Sequence, residues 1–153
     1  MSRFKFRLAR THKLRQEQED QQARVLDRAR TDLAEAQRVR DDLRSVRIES
    51  YERLRRVHSA GGSAGHLRNL EHVLEELDRK ILAASRACSE AEDNVARSLA
   101  EYASARERRR MLDHVRDRRH DEWARAVERS EQAALDEIAL GRYARGRAAG
   151  GGS

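Results

Sequence analysis

Residues 67–112 read LRNLEHVLEELDRKILAASRACSEAEDNVARSLAEYASARERRRML, and this stretch decides the fold. Leu67, Leu70, Leu74, Leu77, Ile81, Ala84, Cys88, Ala91, Val95, Ser98, Tyr102, Ala105, Arg109 and Leu112 follow one another in alternating steps of three and four. All but Ser98 and Arg109 are apolar or nearly so. A step averaging about 3.5 residues keeps one narrow seam on one side of a helix, and another helix must cover it.

Working outward, the chain breaks once, at Gly61-Gly62-Ser63-Ala64-Gly65, where three glycines in five residues end a helix and turn the chain. Upstream runs a weaker seam of Leu26, Ala29, Leu33, Ala36, Val39, Leu43, Val46, Ser50 or Tyr51, Leu54 and Val57. Its step from Ala36 to Val39 repeats a three-residue spacing and predicts a local phase shift. Between Arg15 and Gln22 the seam is polar, so looser pairing is expected there. Two seamed helices on a short glycine turn form an antiparallel hairpin. The fold class is therefore all-α, a long two-helix antiparallel coiled coil. Residues 3–58 form its first helix, 59–65 the turn, 66–143 the second helix and 146–153 a flexible glycine-rich tail. At about 1.5 Å per residue the helices are about 80 and 115 Å long, so the second overhangs the first. Residue i should face roughly residue 124 − i.

Composition agrees. Charged residues make up 39%, aromatics 4% and mean hydropathy is −0.98. Val, Ile, Leu and Phe total 28 of 153, a level at which disorder competes with folding; the long seam decides for a helix pair. There is no proline, which permits long helices. A lone cysteine, Cys88, has no internal disulfide partner and sits on the seam as a small core residue. No apolar run is long enough to span a bilayer and no secretory leader is evident, so a cytoplasmic, non-inserted single chain is expected.

Charge is uneven. Residues 1–16 carry Arg3, Lys5, Arg7, Arg10, Lys13 and Arg15 with no acid before Glu17. Near the turn, residues 69–93 hold seven acids against Arg79, Lys80 and Arg86, a net of −4. The open end is basic and the turned end acidic, an arrangement suited to two different partners.

Catalytic motifs are not found. His66/His72 and His114/His120 are each six residues apart, about 120° round a helix, whereas zinc-binding pairs want three or four. There is no glycine-rich phosphate cradle, and a two-helix hairpin is expected to lack a concave substrate pocket. No enzyme activity, metal or cofactor is expected. Nucleic-acid binding is the generic alternative, given a pI near 10.2 and the aromatics Phe4, Phe6 and Trp123 at the basic end. Against it, Arg106, Arg108, Arg109 and Arg110 are followed by Asp113, Asp117, Asp121 and Glu122. Facing residues make Phe4, Phe6, Leu8 and Trp123 the simpler reading of a small apolar plug.

Three features carry a resemblance: the start Phe4-Lys5-Phe6-Arg7-Leu8 followed by Leu14-Arg15 and Gln16-Glu17-Gln18-Glu19, the glycine-turn hairpin, and the end Glu131-Gln132-Ala133-Ala134-Leu135-Asp136-Glu137 before Arg142-Tyr143. Together they resemble the FliJ family, the stalk-like component of the bacterial flagellar type III export apparatus. The resemblance implies a nonenzymatic coupling protein similar in fold to the central shaft of rotary ATPases. Its implied partners are the export ATPase ring, the cytoplasmic domain of the export gate, and empty export chaperones. It implies a cytoplasmic location at the inner face of the membrane, at the flagellar base. The gate-binding surface would fall on Leu43, Val46, Tyr51, Val73 and Leu77. The ATPase-facing end would include Phe4, Phe6, Arg7, Arg109, Arg110, Trp123, Leu135, Asp136 and Glu137. A virulence-type secretion stalk or a rotary-ATPase central stalk subunit is the alternative of the same architecture, and a generic coiled-coil scaffold or nucleic-acid-associated protein is the alternative of another class.

Overall fold

The computed structural model describes residues 3–150, with side chains through Arg147. Helix α1 spans Ala9–Ser59 and helix α2 spans Ala64–Gly150. The two pack against each other as a helical hairpin, with no strand among the described residues.

The turn explains itself residue by residue. Gly61 has a φ of +72°, the left-handed conformation that glycine enters without a Cβ penalty. Its N–H donates to the His58 carbonyl, and the Gly62 N–H donates to the Val57 carbonyl at 2.9 Å. These two bonds close the end of α1 as a Schellman motif. Gly62 is needed for space: a Cβ there would lie 2.4 Å from Val57 Cγ1 and 3.0 Å from the Val57 carbonyl oxygen. Ser63 then caps α2, its Oγ accepting from the His66 N–H at 3.3 Å while its carbonyl accepts from the Leu67 N–H. Arg56 and His58 in the last turn of α1 suit the negative end of its dipole.

The chain divides into two units, one of residues 17–106 and one of residues 1–16 with 107–153. In the first, every α2 seam residue from Leu67 to Ala105 is buried or half-buried, as the spacing predicts. Cys88 is 3% exposed, a free thiol used as packing. The α1 seam differs from expectation. The covered seam runs Glu19, Gln22, Leu26, Ala29, Leu33, Ala36, Arg40, Leu43, Arg47, Ser50, Leu54 and Val57, with Ala23 and Gln37 half-buried at its side. This is an uninterrupted three–four step, so the expected phase shift after Ala36 does not occur. Val39 and Val46 lie outside the seam, 45% and 46% exposed. The physical reason is that an arginine stem covers a seam as well as valine does, while its head reaches water or an acid. Arg40 reaches Asp41, and Arg47 crosses to Asp78. The Arg47–Asp78 pair is one residue from the expected facing. Leu26 and Ala29 are the tightest α1 positions, at 4% and 2% exposure. Burying Leu26 supplies about 2 kcal/mol of transfer free energy.

In the second unit, residues 3–8 are not helical, and α1 begins at Ala9 rather than residue 3. On a helix Phe4 and Phe6 would point about 200° apart; an extended chain sends both to one side. Both are half-buried. At the other end α2 continues through Gly141 and Gly146 to Gly150, beyond the expected stop at residue 143 and through part of the expected tail. The Ala- and Arg-rich sequence around these glycines favours helix enough to carry them, each costing about 1 kcal/mol relative to alanine. Residues 151–153 of that tail lie outside the described residues. Residues 128–140 of α2 are exposed on every side.

Candidate partner-binding surfaces

The unit of residues 1–16 and 107–153 holds the densest chemistry. The ring of Phe4 meets His120 edge-on, with centroids 5.2 Å apart, and Trp123 at 5.8 Å; His120 and Trp123 are themselves 5.8 Å apart. Phe6 turns instead to the imidazole of His12, 6.4 Å away and nearly perpendicular. The expected plug is thus corrected in membership. His120 joins it, and Leu8, in the turn that leads into α1, stays 41% exposed.

His12 is buried, and its Nε2 lies 2.6 Å from Asp113 Oδ1. A carboxylate only accepts, so Nε2 is the nitrogen that carries the proton. Arg109 donates to the other oxygen, Oδ2, and Arg116 stands 3.9 Å from Oδ1. The hydrogen bond from His12 and the charge of the neighbouring guanidiniums hold the Asp113 carboxyl below the usual carboxylate range, against the opposing effect of burial. This cluster fastens the start of α1 to α2. Sequence reading missed it because a histidine and an aspartate 101 residues apart carry no local signature; only the facing rule brings them within one residue of each other.

Residues 3–8 and α2 enclose an open cleft of about 990 Å³. The expectation of no concavity is overturned here, because a non-helical segment laid on a helix leaves space that a second helix would fill. Phe4, Phe6, Leu8, Val115 and Trp123 line it with apolar surface; Arg3, Lys5, Arg7, Arg119 and Glu122 line it with charge. Among the described residues, no group of His, Cys, Asp and Glu is arranged to hold a metal ion.

The positions assigned to partners by resemblance sort by exposure. Val46, Tyr51 and Val73 are exposed, Leu43 is half-buried, and Leu77 is 8% exposed. Leu43 and Leu77 are seam residues whose side chains serve the helix pair. At the other surface, Phe4, Phe6 and Trp123 come together, with Arg7 exposed beside them. Arg109 is held by Asp113, whereas Arg110 is exposed. Leu135, Asp136 and Glu137 are exposed on the bare part of α2, where Asp136 accepts from Gln132.

A family model described as flagellar FliJ protein matches residues 4–148. The chain belongs to the FliJ family. No curated protein and no solved structure matches it. FliJ membership makes it a component of the flagellar export apparatus, from a family of non-catalytic stalk proteins. The match spans both units, so the N-terminal segment, the turn and the exposed part of α2 all lie inside FliJ sequence. No helix among the described residues of this FliJ protein is long and apolar enough to cross a membrane.

Proposed function

We propose that this FliJ-family chain is a coupling stalk of flagellar export, joining the export ATPase ring to the cytoplasmic domain of the export gate at the inner face of the membrane. A role in escorting empty export chaperones belongs to the same reading. The observation that carries it is the uncovered part of α2, where Leu135, Ile138, Leu140 and Tyr143 are 62%, 52%, 69% and 69% exposed. A helix that keeps large apolar residues in water with no covering helix of its own marks an interaction surface. This bare helix and the basic segment of residues 3–8 face the ATPase. A slender helical end fits the axis of a ring, and its cations suit acidic loops. Val46, Tyr51 and Val73 face the gate, with Leu43 and Leu77 supporting them from the seam.

Stimulation of the export ATPase tests the first contact. Arg110→Glu and Ile138→Asp are expected to lower stimulation while leaving helicity unchanged, since both residues are exposed. Arg109→Glu is a poorer probe, because it also breaks the bond to Asp113. Full stimulation by both exposed variants counts against this end as the ring contact. Binding to DNA that falls steeply with salt, without ATPase binding, favours the nucleic-acid reading instead.

A further inference from the structure

The cleft beneath residues 3–8 has a chemistry of its own. Its floor is aromatic: Phe4, Phe6 and Trp123, all half-buried, so each ring keeps part of its surface in solvent. Its cations are not all engaged. Arg119 reaches Glu122 at 3.5 Å, so the one acid of the lining is already shared. Arg3, Lys5 and Arg7 have no acidic partner among the described residues, and the first acid in the sequence is Glu17. An apolar floor beneath an excess of uncompensated cations fits a ligand that is both apolar and anionic.

We propose that this cleft binds a short acidic peptide segment of a protein partner. One large aliphatic or aromatic side chain rests on Phe4, Phe6 and Trp123, and its flanking carboxylates meet Arg3, Lys5 and Arg7. The inference rests on the reading of this unit as the ATPase-facing end and names the chemistry that end recognises. A peptide is favoured over a nucleic-acid strand for two reasons. Glu122 in the lining, with Asp117 and Asp121 beside Phe4, interrupts any continuous phosphate track. The Phe4 ring is also already flanked by His120 and Trp123, whereas base stacking needs an open ring face. A side chain inserted from above needs only the exposed edges.

Trp123 is the only tryptophan, so its fluorescence reports occupancy directly. The full chain is titrated with an acetylated octapeptide of glutamates around a central Leu-Phe pair. Its controls are an all-glutamate octapeptide, the lysine counterpart and a short oligothymidylate, and calorimetry is run in parallel. The expected result is a saturable Trp123 shift with the Leu-Phe peptide alone, weakened about tenfold by Lys5→Glu with Arg7→Glu. Those two residues are exposed and outside both helices, so the double variant keeps its helicity. Phe4→Ala is expected to weaken binding comparably at unchanged salt dependence. The proposal is overturned if the Leu-Phe peptide gives no signal by either method, if the all-glutamate or lysine peptide binds as well, or if oligothymidylate binds more tightly. Co-sedimentation with the export ATPase separates the two readings: failure of the peptide with ATPase binding intact removes the cleft and leaves the stalk.

Discussion

Replacing Asp113 with asparagine removes a charge and keeps the shape. Asp113 accepts from His12 on one oxygen and from Arg109 on the other. Hydrogen bonds to charged groups are each worth about 1.5–3 kcal/mol. The Asp113 side chain is 23% exposed, so solvent screening reduces that figure. Asparagine keeps one acceptor oxygen but turns an amide N–H toward a donor. The net loss is about 1–2 kcal/mol. For a chain of this size that lowers Tm by about 2–8 °C. The sign with pH follows from the lowered carboxyl. A depressed folded-state pKa gives stability that is complete above the ordinary carboxylate value of about 4 and lost as pH falls through the folded value. The gap between wild type and Asp113→Asn should therefore be open at neutral pH and close in strong acid. Urea unfolding followed by Trp123 fluorescence reads this unit, and circular dichroism reads the helices. Equal midpoints at neutral pH, or a gap of undiminished size in acid, refute the reasoning.

Three further outcomes are expected. Gly62→Ala should cost about 1–3 kcal/mol, because its Cβ meets Val57 Cγ1 and carbonyl oxygen; a denaturation midpoint equal to wild type would show that the turn relaxes freely. Ala29→Leu should destabilise by about 1–3 kcal/mol, since the site is 2% exposed and lies on the seam; a raised midpoint speaks against close packing there. Gln22→Leu should stabilise by about 1 kcal/mol, because the Gln22 Oε1 is buried without a hydrogen-bond partner; calorimetric melting decides, and a lower Tm sinks it.

The α2 seam was legible because Leu67, Leu74, Leu77 and Ile81 announce the phase and small residues hold it. The α1 seam was harder, because Arg40, Arg47 and Ser50 occupy covered positions while Val39 and Val46 do not. Residue type reports burial poorly when long aliphatic stems carry charged heads. The facing rule was right to within a residue for His12 with Asp113 and Arg47 with Asp78, since a short turn fixes register by counting. The start of α1 was misplaced: Phe4-Lys5-Phe6 alternates with period two, a strand-like spacing that a neighbouring helical sequence overshadowed. The cleft followed from that misplacement and was invisible for the same reason. Leu43 and Leu77 are covered seam positions while Val46, Tyr51 and Val73 are exposed, a division that residue type alone does not reveal.

No described side chain is entirely sequestered, and the most covered positions are mostly small: Ala29, Cys88, Ser98 and Ala105. Such a molecule has no keystone. Its resistance to opening is distributed along successive rungs, each weak, so amide exchange should reveal graded, piecewise breathing rather than one global event. An opening at one rung need not disturb the next.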